Sequence, residues 1–273
     1  MLSSIVLELQ AVENGRFQGS SGRAVHGFWF NQWAAVAPDL ADSLHQQATK
    51  PFTLSPLMGL ARPRQGVTHV RAGDKAWLRV TSLQAELSQK LLGNWLPRLP
   101  AVIRLAEIPW RIDNIALMPQ AHPWAQQNSY AALEAAAPTT VLEPTWRLQI
   151  ETPTTFHIGK DAYLPFPLPG ALVNSWRRRW DAFAEVKLPP IEATLLQQQL
   201  FISHYRLKTV PVRYGRRVTM GCVGELTLRA GKLPDEVCRT ISILAAYAFY
   251  CGNGRYTTQG MGLTRLAHNR QAP

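Results

Sequence analysis

Two stretches of this chain repeat one order of hydrophobic periods, and that repetition constrains the fold more than any single motif. In residues 4–10, Ile5, Leu7 and Leu9 alternate with Val6, Glu8 and Gln10, the two-residue period of a strand. Ser20-Ser21-Gly22 then offers a helix start. Val25, Phe28, Trp29, Trp33 and Val36 follow at helical spacing until Pro38 stops the helix. Residues 39–47 allow one further short helix. Residues 52–57 and 75–81 read as strands, 83–95 as a second amphipathic helix, and 102–108 with 115–118 as the returning strand.

The order is β-α-β-β-α-β, the ferredoxin-like pattern. After an Ala- and Pro-rich stretch at 120–140, read as a linker or bridging helix, the order recurs. Residues 145–150 are a strand, and 169–183 a helix striped by Leu172, Val173, Trp176, Trp180 and Phe183. Residues 201–218, turning around Tyr214-Gly215, pair with 221–229. Pro234 opens a helix over 235–250, suited to its fixed φ, and 262–267 is the last strand. The expectation is an α+β protein of two tandem ferredoxin-like, RNA-recognition-motif-like domains, residues 1–125 and 141–273. Their antiparallel sheets carry helices on one face, leaving the other face free for RNA.

A length of 273 residues suits two such domains, and 46% hydrophobic with 17% charged residues argues against disorder. The net charge of +11 calls for a polyanionic partner, nucleic acid or an anionic membrane surface. The longest apolar run, 241–251, falls short of the ~20 residues that cross a bilayer. The first ten residues have no basic start and carry Glu8, unlike a signal peptide. Three late cysteines without a CxxC exclude a disulfide framework and a thiolate zinc site. A cytoplasmic protein with no membrane partner is expected.

The charge is uneven: residues 1–136 carry net +3 and the remainder net +8. Its patches are Arg177-Arg178-Arg179, the stretch 206–217 with Arg213, Arg216 and Arg217, and Arg255 with Arg265. One such run is most often a solvated face. Three in one domain, with few acids between them, favour phosphate binding. The segment 250–262 adds two Gly-x-Gly pairs, Gly252/Gly254 and Gly260/Gly262, around Arg255. Glycines permit positive φ and close backbone approach, so N–H groups can converge on a phosphate. A dinucleotide fingerprint would follow a strand, and a Walker loop would end in Lys-Ser/Thr; this segment does neither. The plainer reading, helix termination at Gly252 plus a turn, explains one or two of the glycines; four with Arg255 between them favour backbone contact to a nucleic acid.

Candidate chemistry gathers near the front of the chain. His26 has Arg23 at i−3 and Phe30 at i+4, on a face distinct from the Val25/Phe28/Trp29/Trp33 stripe. His45 ends the short second helix, and Lys50 lies five residues on. A lone helix-surface histidine is ordinarily solvated, and one at a helix end is ordinarily a cap. Together, two imidazoles with pKa values near neutrality and two cations suffice for an acid, a base and a phosphate stabiliser. Which histidine is acid and which base stays open. The other histidines lack partners at ligand spacing, so no metal site and no cofactor are expected.

Four stretches carry a family resemblance. They are Gly22-Arg23-Ala24-Val25-His26-Gly27-Phe28-Trp29-Phe30; Leu44-His45 with Lys50-Pro51-Phe52-Thr53-Leu54-Ser55-Pro56-Leu57; Thr152-Pro153-Thr154-Thr155-Phe156 with Leu164-Pro165 and Pro167; and the segment 252–262 closing on Met261-Gly262-Leu263. The chain resembles the CRISPR-associated endoribonucleases that cut repeats in precursor CRISPR RNA, within the repeat-associated RNA-binding superfamily. The resemblance implies two tandem ferredoxin-like domains with an RNA-holding cleft between them. It also implies metal-independent cleavage leaving a 2′,3′-cyclic phosphate and a 5′-hydroxyl. Some members use a tyrosine in the first helix, and Phe30 stands at that place here.

The expected site is therefore His26 and His45 for proton transfer, with Arg23 and Lys50 on the phosphate. The expected RNA contacts are Gly252, Gly254, Arg255, Gly260, Gly262, Arg177, Arg178, Arg213, Arg216 and Arg217. CRISPR repeat RNA is the expected partner, with other CRISPR-associated proteins and a second copy of the chain as further candidates. The rival expectation is a non-catalytic subunit that binds CRISPR RNA. A generic pair of RNA-recognition domains is disfavoured, because the aromatic central-strand signature of such domains is not evident.

Overall fold

The computed structural model describes residues 1–140, 143–159, 162–214 and 217–267. They form two compact units. The first comprises Met1–Asn128 with Val212–Thr219 and Tyr256–Met261; the second takes the remainder.

The first unit runs β1 (Leu2–Ala11), β2 (Gly15–Gln18), α1 (Gly22–Val36), α2 (Pro38–Gln46), β3 (Phe52–Leu54), β4 (Val67–Val70), β5 (Lys75–Ser82), α3 (Ala85–Lys90), β6 (Val102–Leu105), β7 (Ile108–Ala116) and β8 (Gln126–Asn128). Its main sheet has the order β3-β5-β1-β7-β6, with β8 also paired to β1. The core order β7-β1-β5-β3 is the ferredoxin-like arrangement, in which the first and third strands lie centrally. All these pairings are antiparallel. Because side chains alternate across a strand, Ile5, Leu7 and Leu9 of β1 join Leu78 and Val80 of β5 in the core. That core is aromatic: Trp29 lies 5.6 Å from Trp33, 5.4 Å from Trp95 and 4.9 Å from Phe52 between ring centroids. All four rings are fully buried. On the opposite sheet face the chain covers β1 and β5, where Ser4, Val6, Arg79 and Thr81 are buried, while Val102, Arg104 and Arg111 of β6 and β7 are exposed. Trp124 stacks with Trp77 and lies under the Arg79 guanidinium, and its carbonyl accepts a 2.6 Å bond from Ser4 Oγ.

The second unit runs α4 (Tyr130–Ala136), β9 (Thr145–Thr154), β10 (Phe156–Ile158), β11 (Ala162–Leu164), α5 (Pro169–Phe183), α6 (Ala193–Gln199), β12 (Leu200–Tyr214), β13 (Arg217–Ala230), α7 (Asp235–Cys251) and β14 (Thr264–Leu266). The sheet order β12-β13-β9-β14 is the same arrangement again. Trp176, Trp180, Leu244 and Tyr247 are fully buried between α5 and α7. The fold class expected from the sequence is the one observed, tandem ferredoxin-like domains with antiparallel sheets.

The local differences have physical reasons. The helix expected over 83–95 is α-helical only to Lys90, widens to a π-turn over Leu91–Trp95 and tightens to a 3-10 turn at Leu96–Arg98. Pro97 cannot donate to an α ladder, and the altered turns carry Trp95 into the core. The single returning strand expected from 102–108 and 115–118 is a hairpin of β6 and β7. Its turn is Ala106-Glu107, both at positive φ (50° and 65°). Neither residue type announces such a turn, so the pattern read as one interrupted strand. The short pairs β2–β4 and β10–β11 were too brief to show a period.

Candidate active site

Helix α1 presents two faces. Val25, Trp29 and Trp33 point into the core, while Arg23, His26 and Phe30 share the other side, with Arg23 exposed and the two rings half-buried. Pro38 at the first turn and Asp39 beside the positive helix end favour the start of α2. His45 stands in its last turn, where positive charge is favoured. Phe30 bridges the two histidines: its ring meets His26 edge-on at 4.9 Å and His45 at 5.4 Å. It holds each imidazole by contact, while offering no proton of its own.

The cations differ in how they are held. Arg23 is exposed. The Lys50 ammonium donates to the carbonyls of Leu44 (2.9 Å) and His45 (2.5 Å), closing the C-terminal end of α2. Lys50 thus fixes the helix end that bears His45, with two of its three N–H donors engaged. Burial lowers the Lys50 pKa.

His26 is tied to a distant part of the chain. Its Nδ1 lies 2.8 Å from the carbonyl oxygen of Thr258, and since a carbonyl only accepts, the ring nitrogen donates. The pKa of His26 is held below 6.5, first by burial and then by the positive fields of His45, Lys50 and Arg23. The Thr258 bond opposes the shift. At neutral pH this ring is uncharged. Among the described residues no group of three His, Cys, Asp or Glu side chains converges as metal ligands. Among the described residues no helix is long and apolar enough to cross a membrane.

Two family models cover most of the sequence: the CRISPR Cas6 N-terminal domain over residues 1–135 and the CRISPR-associated endoribonuclease Cas6 over residues 148–264. The chain belongs to the Cas6 family. Solved Cas6 structures match it nearly end to end. A Cas6 product complex is 28% identical with a TM-score of 0.82, covering 98% of this chain and 100% of its own. Thermus thermophilus Cas6 is 28% identical with a TM-score of 0.75, covering 98% of each chain. A Cas6 substrate mimic complex is 26% identical with a TM-score of 0.74, covering 97% of this chain and 99% of its own. Among curated protein sequences, none matches.

In this Cas6 chain the glycine segment divides between the two units. Gly252 terminates α7 at φ +67°, its N–H bonded to the Ala248 carbonyl. Gly254 donates to Ser175 Oγ (2.9 Å) and accepts from Arg179 (2.7 Å); a Cβ there would collide with the Thr155 carbonyl. The Gly262 N–H bonds the Pro153 carbonyl. These three N–H groups are spent inside the protein, so a phosphate could reach them only by displacing internal bonds. Gly260 is buried against Pro56 and Gly22. Arg255 is half-buried, with its guanidinium 5.4 Å from the Tyr163 ring centroid.

The arginines also divide. Arg178, Arg213 and Arg217 are exposed. Arg177 is committed to both oxygens of Asp181 and to the carbonyls of Leu188 and Pro189. Its neighbour Arg179 is buried on Ser175 and Gly254. Arg216 lies outside the described residues. The sequence brought His26, His45, Arg23 and Lys50 together and missed the Thr258 carbonyl. No side-chain pattern could flag a main-chain acceptor 232 positions away.

Proposed function

We infer that this chain processes precursor CRISPR RNA by cutting its repeats without a metal ion. The ribose 2′-hydroxyl attacks the adjacent phosphate, and the products carry a 2′,3′-cyclic phosphate and a 5′-hydroxyl. Domain 1–125 supplies the chemistry: His26 and His45 transfer the protons, and Arg23 with Lys50 offsets the charge on the phosphorane. Residues 141–273 hold the RNA, with the exposed Arg178 and with Arg255 of the second unit as phosphate contacts, joined by the exposed Arg213 and Arg217 on the 212–219 segment that belongs to the first unit. The observation that carries this reading is the pair of imidazoles that both pack against the Phe30 ring, beside two cations. Such a group supplies an acid, a base and positive charge, which is what in-line attack by an internal hydroxyl needs. Membership in Cas6, and the solved Cas6 product and substrate mimic complexes, support the choice of substrate.

The test is incubation with a repeat RNA in excess EDTA, with and without a 2′-deoxy substitution at the scissile nucleotide. Cleavage of the ribose form alone is expected; a requirement for Mg²⁺, or cutting of the deoxy form, rejects the mechanism. Phe30, in the place where some members of the family carry a tyrosine, favours one alternative, a subunit that binds RNA without cutting it. Tight binding with no product, indifferent to His26→Ala and His45→Ala, would establish that alternative.

A further inference from the structure

The glycine segment passes within bonding distance of His26, and what it delivers there is a carbonyl oxygen. We propose that residues 256–261 are a positioning element of the cleavage site. On this proposal the Thr258 carbonyl locks His26 in the Nδ1–H tautomer, so that Nε2 carries the lone pair that takes the 2′-hydroxyl proton. The inference rests on the reading of His26 as a proton-transfer residue and adds the identity of the reacting nitrogen, its role and the group that fixes both.

Three observations support it. The 2.8 Å contact pairs a ring nitrogen with an atom that can only accept, so the neutral ring must hold its proton on Nδ1. The segment is docked by main-chain contacts that tolerate no side chain. A Cβ on Gly22, the first residue of α1, would collide with the Gln259 carbonyl oxygen. One on Gly260, at φ +91°, would come within 3.0 Å of the Gly22 Cα and 3.1 Å of Pro56. Next to Thr258, the Thr257 carbonyl accepts from the Leu54 N–H at 2.9 Å, stitching the segment to β3. The glycines at these contacts therefore serve close approach of backbone to helix. The charged groups facing His26 are Arg23 on its own helix, His45 at the end of α2 and Lys50 ahead of β3. All three favour the neutral ring and hence the base. The step then balances: the 2′-hydroxyl proton passes to His26 Nε2 as the 2′-oxygen bonds phosphorus. The bond from phosphorus to the 5′-oxygen breaks, and that oxygen takes a proton from the His45 imidazolium.

The experiment has two arms on the full chain. Ring ¹⁵N shifts of the seven histidines are recorded above the His26 pKa, with its signals assigned by their absence in His26→Gln. A protonated Nδ1 with an unprotonated Nε2 is expected, and this arm needs no destabilised variant. Gly22→Ala, which pushes the segment off α1, is then compared in single-turnover cleavage and equilibrium RNA binding. Mixed tautomers and a cleavage rate lower by on the order of 100-fold are expected, as for a reacting group displaced by about 1 Å, with RNA affinity unchanged. Weaker RNA binding with the tautomer and the bound-state rate intact would overturn the proposal, since the segment would then be an RNA contact. An Nε2–H ring in an enzyme that His26→Gln inactivates would overturn the tautomer lock alone. Normal cleavage by His26→Gln would instead overturn the site reading on which the lock depends.

Discussion

Helices α1 and α5 occupy the same place in two copies of one topology, each on the connection between the first two strands of its unit's main sheet, yet they spend their polar residues in opposite ways. On α1 the side turned from the core carries Arg23, His26 and Phe30, and His26 is the member shifted toward neutrality. On α5 the tandem arginines fall mostly to architecture: Arg177 is bonded to Asp181, Leu188 and Pro189, Arg179 is buried on Ser175 and Gly254, and Arg178 is exposed. The half with the larger net charge thus uses part of that charge to hold its own loops. The half with the smaller net charge holds the ionisable pair. Charge counted along a sequence locates a field, whereas chemistry is located by which groups are half-buried beside one another.

The comparison breaks first at the histidines. His26→Ala and His45→Ala are each expected to lower single-turnover cleavage by roughly 10²- to 10⁴-fold, the usual worth of one positioned proton transfer, with RNA affinity nearly unchanged. If truncating α5 arginines slowed cleavage of bound RNA as much, the assignment of chemistry to the first unit would fail. The second effect belongs to α5. Arg179→Leu takes the guanidinium donor from the buried Gly254 carbonyl and leaves the Ser175 hydroxyl with the Gly254 N–H. It should cost about 2–4 kcal/mol in denaturant unfolding, while an exposed substitution at Arg178 costs almost nothing.

What was legible in the sequence follows from the same contrast. The strands and helices with long, clean periods were readable, β1, α1, α5 and α7 among them, because burial of one face imposes the period directly. The Ala106-Glu107 turn and the π-turn at Leu91–Trp95 were not, because tertiary packing of Trp95 and Trp110 decides them. At the site, His26, His45, Arg23 and Lys50 could be grouped by their nearness in sequence, on two consecutive helices and the loop that follows them. The engagement of Lys50 with the end of α2, and of Arg177 and the glycines with internal carbonyls and hydroxyls, could not. Main-chain acceptors leave no mark on side-chain pattern.

A smaller effect separates the two units through pH. The unfolded His26 titrates near 6.5 and the folded ring lower, so between those values protonation favours the unfolded chain. Stability is therefore expected to fall as pH drops through 6.5 toward the folded pKa, and to level out below it. The rate of cutting bound RNA falls in the same direction, by about tenfold per unit once pH is below the folded pKa, because the base becomes protonated. His26→Gln should remove the stability trend, read from unfolding midpoints between pH 5 and 7.5, whereas Arg179→Leu should leave it in place. A trend that survives His26→Gln would assign the titration to another group.

The smallest expected effect tests the arginines directly, by salt. An exposed arginine that neutralises one phosphate of a single strand contributes about 0.7 to the slope of log affinity against log salt. Arg178→Gln should lower the slope by about that amount and weaken binding alike across repeat sequences. Arg177→Gln should leave the slope unchanged, because its guanidinium already faces Asp181 and two carbonyls. Its cost should fall on stability instead, since the Leu188 and Pro189 carbonyls lose their donor and Asp181 its ion pair. Titrations of both variants from 50 to 200 mM salt compare neighbours that differ by one position in sequence and by everything in what they touch. Equal slopes for the two would mean that RNA binding draws Arg177 out of its internal bonds, and the division between structural and phosphate-facing arginines on α5 would then hold only for the free protein.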